Sequence, residues 1–391
     1  MNKTDLKFST RCIHTGLAND GFGSPNTPLY DTTTFSFSST EKMEKVIEGH
    51  DIGYLYTRYG SNPSIVNVEK KLASLELAET AIAFSSGMAA IATTLITHGE
   101  KGIICLGEVY GGTWELMTSQ LSSLGRDVAF ISPNQVDALE IQLKQGYTLV
   151  YFETPSNPLL QLIDINKICN LAHTYGAIVV IDSTFATPVN QQTLTLGADI
   201  VIHSATKYLG GHSDLTGGMV AGKSSLLEPI KVWRKNLGQI MAPEVAHLLS
   251  RSLATLELRV QRQNLSAMRI AQFLQNHHAI EKVYYPGLTT HTGHNIAKKQ
   301  MTGFGGMVSI LLKNNVVSPV KFVDSLALFL LAPSLGGCES LVCQPTITSH
   351  RDLSAEMKKE SGITDNLIRI SIGLEDPSDL EADLLQALEL M

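Results

Sequence analysis

Lys207 lies shortly after the apolar run Ala198-Asp199-Ile200-Val201-Ile202, next to the hydroxyls of Ser204 and Thr206 and ahead of the glycine pair Gly210-Gly211. The run is short and rich in β-branched residues, which predicts a buried strand with the lysine just past its end. An amine held in an apolar site has a lowered pKa and can form a Schiff base with an aldehyde. Ser204 and Thr206 could bond a phosphate on the same ligand. Taken alone, the stretch suits a surface lysine after a strand equally well.

A second run, Ala177-Ile178-Val179-Val180-Ile181, ends in the carboxylate of Asp182. Pyridoxal phosphate (PLP) chemistry needs a lysine for the cofactor aldehyde and an acid that keeps the pyridine nitrogen protonated. The two runs are neighbouring units, so Asp182 and Lys207 are expected to face one pocket. By itself, an Asp after a strand is more often a helix N-cap.

The pairing of Asp182 with the block Ser204-Ala205-Thr206-Lys207-Tyr208-Leu209-Gly210-Gly211-His212-Ser213-Asp214 resembles the Cys/Met-metabolism family of PLP enzymes. These are the cystathionine γ-synthases, cystathionine β- and γ-lyases, methionine γ-lyases and O-acylhomoserine sulfhydrylases. The resemblance runs from about Thr10 to Leu385. It implies an α/β chain of the PLP-dependent transferase fold type I (aspartate aminotransferase-like). A large domain with a mostly parallel sheet would be joined to a smaller α+β C-terminal domain. The expected division is an arm over 1–60, a PLP-binding domain over 61–250 and a small domain over 251–391.

The elements that must position these residues can be read in order. Residues 1 to about 60 carry turn and extended signals without a sustained period, and the family uses this region to grip a neighbouring subunit. Tyr56 and Arg58 sit there within Tyr54-Leu55-Tyr56-Thr57-Arg58-Tyr59-Gly60-Ser61-Asn62-Pro63. The resemblance implies that they reach the neighbour's cofactor phosphate, a task that suits the planar guanidinium fork. Without it, the stretch reads as a solvated loop with aromatic anchors. Helix and strand patterns then alternate: a helix over 63–77, a strand at Thr80–Phe84, and a small-residue helix after Ser85-Ser86-Gly87-Met88. That turn points backbone N–H groups and the positive helix end at an anion, with Ser86, Gly87 and Met88 as the cradle. Further strands are expected at 102–106, 148–153, 177–182 and 198–202. Such alternation predicts a parallel sheet with its ligand at the carboxyl ends of the strands. By resemblance, Tyr110 stacks on the pyridine ring, Asn157 bonds its phenolic oxygen and Glu153 supports the site.

Gly217-Gly218-Met219-Val220-Ala221-Gly222-Lys223-Ser224 matches the P-loop pattern. A P-loop must follow a strand and lead into a helix, whereas here Met219-Val220-Ala221 itself reads as the strand. Nucleotide binding is therefore set aside. From Pro243 to about Leu274 the chain reads as one long helical pattern. Strands follow at 306–312 and 367–372. Arg369, inside the last strand, is expensive to bury unless paired, and a substrate α-carboxylate is a good bidentate partner; it could also face solvent on an edge strand. Ser334-Leu335-Gly336-Gly337 resembles a family loop that lines the site.

The resemblance thus implies γ-elimination or γ-replacement on a γ-substituted L-amino acid of the sulfur or activated-homoserine type. The route is a Lys207 Schiff base and a vinylglycine-type intermediate, with Lys207, Tyr110 and Asp182 catalytic. Arg369, Ser334, Tyr110, Tyr56 and Glu115 are the expected substrate contacts. The alternatives are a cystathionine γ-lyase or γ-synthase, and a β-lyase giving pyruvate. Four positions depart from the family pattern. Glu115 stands at or next to an arginine that meets a distal carboxylate, and Pro333 replaces a glutamate that meets a distal ammonium. Gly112 replaces the cysteine of methionine γ-lyases, and Ser183 follows Asp182 where asparagine is usual. These departures weaken both the cystathionine and the methionine γ-lyase readings.

The 391 residues carry a net charge of −7 without a basic stripe, which argues against a nucleic-acid partner. The longest apolar runs, such as Leu326 to Ala332, are too short to span a bilayer. The N-terminus lacks the apolar core of a secretory signal. The five cysteines form no CxxC pair, which predicts reduced thiols and no metal site. A cytoplasmic enzyme is expected, with a small amino acid as substrate and a homo-oligomer, tetrameric by family resemblance, as its assembly.

Overall fold

Short runs rich in Val, Ile and Leu become the strands of two sheets. The computed structural model describes residues 6–17, 20–314, 318–348, 351, 358 and 361–389. The first sheet contains β1 (Thr80–Phe84), β2 (Ile103–Leu106), β3 (Val128–Ile131), β4 (Leu149–Glu153), β5 (Ile178–Asp182), β6 (Ile200–Ser204) and β7 (Gly218–Gly222). Their order is β1-β7-β6-β5-β4-β2-β3. Strands β3, β2, β4, β5 and β6 run parallel, and β7 is antiparallel to both β6 and β1. The second sheet contains β8 (Ile280–Tyr284), β9 (Met307–Leu312), β10 (Leu330–Leu331), β11 (Leu341–Cys343) and β12 (Leu367–Ser371), in the order β10-β11-β12-β9-β8.

Strand side chains alternate between faces, so each buried strand supplies two cores. On one face Ile82, Cys105, Tyr151, Val180 and Ile202 pack with the Gly87–His98 and Ser224–Leu237 helices. On the other, Ile104, Val150, Val179 and Ile181 meet the Val136–Lys144 and Ile165–Thr174 helices. Further along that second face, Ala83, Val201 and Met219 meet the Pro63–Leu75 and Pro243–Leu253 helices. The Leu256–Gln275 helix begins in this last core, through Leu256 and Val260, and ends in the core of the second sheet, through Ile270 and Leu274. It is the rod that couples the two sheets.

Three sequence expectations change. The single helix expected from Pro243 to about Leu274 is two helices, Pro243–Leu253 and Leu256–Gln275. The break is stabilised by buried Arg259, whose guanidinium donates to the Ser252 carbonyl at 2.9 Å and to the Tyr208 carbonyl at 2.7 Å. The arginine thus satisfies a carbonyl in the last turn of the first helix, which has no partner within that helix. The arm, read as lacking any period, holds helices at Phe8–His14 and Thr40–Ile47. No residue of the second is buried, so no core-facing stripe marks it; the Ser39 side chain caps it by accepting from Lys42 N. Strand β6 lies two residues later than read, at Ile200–Ser204. The P-loop match falls on β7, an antiparallel strand preceded by a loop, which is not phosphate-loop architecture.

Gly218 of β7 passes directly beneath the Ser86–Gly87 turn. A Cβ there would lie 2.0 Å from the Ser86 carbonyl oxygen. Gly218→Ala is expected to cost about 1–3 kcal/mol, the usual scale for overpacking. A lowered urea midpoint with an unchanged m-value checks it.

Candidate active site

The carboxyl ends of β4, β5 and β6 put alternating side chains on one face. Glu153 and Asp182 are register partners on adjacent parallel strands, and Asp182 is in register with Ile202 of β6. By the alternation of two, Tyr151, Glu153, Val180, Asp182, Ile202 and Ser204 share that face. The Gly87–His98 helix packs on the same face and turns its N-terminus to the same end.

A cavity of about 280 Å³ opens there. Its polar wall contains Ser86, Gly87, Met88, Glu153, Asn157, Asp182, Ser204, Thr206, Lys207 and Arg369, with Tyr110 at its edge. Eleven sequence candidates are therefore brought together by four strand ends and one helix start. At the helix start, the Ser86 hydroxyl accepts from Ala89 N at 3.1 Å. The first N–H groups of a helix have no acceptor within it and form a ready anion site. A Cβ on Gly87 would lie 2.8 Å from Ser204 Cβ, so the turn and the end of β6 touch. Thr206 Oγ1 accepts from Gly217 N at 3.0 Å. The Ser204 N–H donates to Thr184 Oγ1 at 2.8 Å.

Lys207 Nζ donates to Ser334 Oγ at 3.0 Å. Burial, helped by the positive charge of Arg369, lowers its pKa to about 8. Burial pushes the Asp182 carboxyl up, and hydrogen bonds from the Thr184 hydroxyl and N–H (2.9 Å) act against that push. Burial and then the neighbouring Asp182 raise Glu153 well above the usual carboxylate range. Glu153 Oε1 accepts the Tyr110 N–H at 2.8 Å. Arg369, on β12 of the second sheet, is 4% exposed. Its guanidinium donates to Asn157 Oδ1 and to the Ser334 carbonyl, each at 3.1 Å.

These residues fit PLP on chemical grounds. Lys207 is an amine with its charge disfavoured, as addition to an aldehyde requires. Asp182 is 9% exposed, and no ion pair among the described residues includes it. A buried carboxylate without a cation needs one, and a protonated pyridine nitrogen supplies it. The helix start beside Ser204 and Thr206 matches a phosphate.

Four candidates lie outside the cavity wall. Tyr56 and Arg58 are exposed on the arm, where Arg58 Nη1 donates to the Lys235 carbonyl at 3.1 Å and its guanidinium lies over the rings of Tyr56 and Tyr59. Glu115 is exposed at the end of the Gly111–Glu115 helix. Ser334 is not in the wall either but holds Lys207 and Arg369 from behind it. Sequence reasoning missed Thr184, whose signal was its place two residues after Asp182, where a side chain–backbone turn is natural. It also missed Ile91, Pro155 and Phe185, apolar wall residues that carry no motif.

A family model described as "Cys/Met metabolism PLP-dependent enzyme" matches residues 9–389. The chain is 43% identical over 366 residues to cystathionine gamma-synthase 1, chloroplastic, of Nicotiana tabacum, covering 93% of this chain and 68% of that protein. It is 40% identical over 387 residues to L-methionine gamma-lyase of Fusobacterium nucleatum subsp. polymorphum, covering 98% of each. The crystal structure of cystathionine gamma-lyase from Lactobacillus plantarum complexed with L-serine superposes with a TM-score of 0.92 at 38% identity, covering 98% of each chain.

The lowered pKa of Lys207 has a direct kinetic consequence. The rate at which apoprotein combines with added PLP should rise with pH through a midpoint near about 8, not above 10. Arg369→Gln removes a positive neighbour and should move the midpoint upward. Absorbance stopped-flow across a pH series checks both.

Proposed function

The chain belongs to the Cys/Met metabolism family of PLP-dependent enzymes, and we propose that its substrate is an L-amino acid whose γ-substituent carries no second amino-acid head. The reaction class is PLP-dependent γ-elimination or γ-replacement. The observation that carries the substrate reading is the composition of the cavity wall. Its ionisable members apart from Tyr110 are Glu153, Asp182, Lys207 and Arg369, and its apolar lining includes Met88, Ile91, Pro155, Phe185, Pro333 and Leu335. Lys207 and Asp182 are committed to the cofactor, and Arg369 suits the α-carboxylate. Pro333 offers no charge to a distal ammonium, and the lining holds no cation beyond Lys207 and Arg369 for a distal carboxylate. Thioethers and O-acyl-homoserines meet these conditions better than cystathionine.

PLP, when bound, supplies an electron sink for the charge left at Cα when a proton departs. Asp182 holds the proton on the ring nitrogen, because a buried carboxylate favours a cation beside it. Arg369, steadied by Asn157 and the Ser334 carbonyl, binds and orients the substrate carboxylate. Lys207 Nζ is near neutral at its pKa of about 8, so it can both take a proton from Cα and return one. Ser334 Oγ gives Nζ a resting position. Tyr110, which lines the cavity, would stack on the ring and could serve as a second proton carrier. Ser86, Gly87, Met88, Ser204 and Thr206 hold the phosphate.

Tyr56 and Arg58 act on a neighbouring subunit's cofactor phosphate, in a homotetramer built from dimers with shared sites. Their exposure supports this, as do the exposed apolar side chains Ile13, Ile47 and Ile52 of the arm and Val232, Trp233 and Leu237 of the Ser224–Leu237 helix. No helix among the described residues is long and apolar enough to cross a membrane. We take the enzyme to be cytoplasmic.

The purified holoenzyme should release 2-oxobutyrate from methionine, O-acetyl-homoserine or O-succinyl-homoserine faster than from cystathionine. Cystathionine turnover far above all others would sink the proposal, and pyruvate as the main product from cysteine would mark a β-lyase. Loss of 2-oxobutyrate on adding a thiol, with a new amino acid formed, would mark γ-replacement. For the shared site, an Arg58→Ala chain and a Lys207→Ala chain, each inactive, should regain activity when co-assembled, because one composite site is then intact. No recovery would refute sharing.

A further inference from the structure

Glu153 and Asp182 are two buried carboxylates side by side in register, 7% and 9% exposed. The reaction described above uses the charge of one of them. Asp182 has the better support for a negative charge, since Oδ1 accepts the Thr184 N–H at 2.9 Å. Glu153 Oε1 accepts the Tyr110 N–H at 2.8 Å, one bond favouring charge against the two, from the Thr184 hydroxyl and N–H, that favour it on Asp182. Tyr151, two residues before Glu153 on the same face, is fully buried, with its hydroxyl beside Thr113.

The groups facing the pair come from every neighbouring element. They are the Cys105 thiol of β2, in register with Tyr151, the Tyr151 hydroxyl of β4, and Thr184 beyond β5. His203 of β6 also acts on Asp182 but is bonded to Glu76 at 2.5 Å. Lys207 Nζ is turned to Ser334 and Arg369 to Asn157. No ion pair among the described residues includes Glu153. Two adjacent buried carboxylates without a cation cannot both be charged, so one keeps its proton. The burial that raises Glu153, reinforced by Asp182, agrees with the geometry on which one it is.

We propose that Glu153 is a positioning residue that works as a neutral carboxylic acid. Its Oε1 holds the backbone of Tyr110, Asp182 alone carries the charge for the cofactor's ring nitrogen, and the Tyr151 hydroxyl stands by the pair as a neutral donor. Tyr110 is then fixed by a bond that does not depend on whether the ring nitrogen beside Asp182 is charged. The inference rests on the PLP-enzyme reading for its purpose but not for its readout.

Infrared difference spectroscopy of wild type against Glu153→Gln, on apoprotein and holoenzyme, tests it. A protonated-carboxyl C=O band in the wild type that E153Q removes is expected in both forms. Tyr151→Phe should shift that band by removing the nearby donor. A wild type without the band, or a band that survives in E153Q, overturns the proposal. In turnover, Glu153→Ala should lose roughly tenfold more kcat than Glu153→Gln, since only the amide keeps an acceptor for the Tyr110 N–H. Equal losses overturn the positioning role, and if the alanine variant does not fold, the infrared result decides. A holoenzyme preparation without a visible cofactor band would defeat the PLP reading instead, while the apoprotein infrared result would still stand.

Discussion

The central constraint is the removal from water of an amine, two carboxylates and a guanidinium at one edge of a parallel sheet. Each buried ion costs several kcal/mol unless something compensates it. Lys207 meets part of the cost with a charge held less firmly, its pKa lowered to about 8, and with the Ser334 hydroxyl as acceptor. Arg369 meets it with the Asn157 amide oxygen and the Ser334 carbonyl. Asp182 has hydrogen bonds from Thr184 but no cation among the described ion pairs. That residual need makes the site selective for a cofactor bringing a protonated ring nitrogen, and ties cofactor binding to the electrostatics of the apoprotein.

These compensations require both sheets at once. Asn157 follows β4 of the first sheet, while Arg369 lies on β12 of the second. Ser334, after β10, meets the lysine that follows β6. The Leu256–Gln275 helix, anchored in both cores, keeps the two sheets in register for these contacts. Arg259 at its start reaches back to the carbonyls of Tyr208 and Leu209, just beyond Lys207. The turn carrying Lys207 is thus pinned from the helix that links the sheets.

Close backbone approach does the rest. Gly218 lets β7 run under the Ser86–Gly87 turn, and Gly87 lets that turn rest on Ser204. Side chains at either position would push the anion-binding helix start away from the hydroxyls it works with. The arm follows a different logic. Its Thr40–Ile47 helix buries no residue, and Tyr56 and Arg58 remain outside the cavity. Such a segment is held by the Ser39 cap, by Asn62 Nδ2 donating to the Tyr30 carbonyl and by the Arg58–Lys235 contact.

The sequence by itself determined four of the five parallel strands, because a buried strand must be an uninterrupted apolar run; it missed β3, of whose residues only Ile131 is buried. It also pointed to the chemistry at their ends, through the resemblance of Asp182 and the block around Lys207 to one enzyme family, since either residue taken alone suits a commoner role. It did not reveal the break before Leu256, where Arg259 folds back onto the Ser252 carbonyl and onto carbonyls 50 residues away or more. Nor could it pair Glu153 with Asp182 or bring Arg369 to Asn157, 212 positions apart. Register and inter-sheet docking are properties of packed surfaces, decided by the summed fit of many side chains. Local pattern names the groups; only tertiary structure decided which of them share a proton, a charge or a wall.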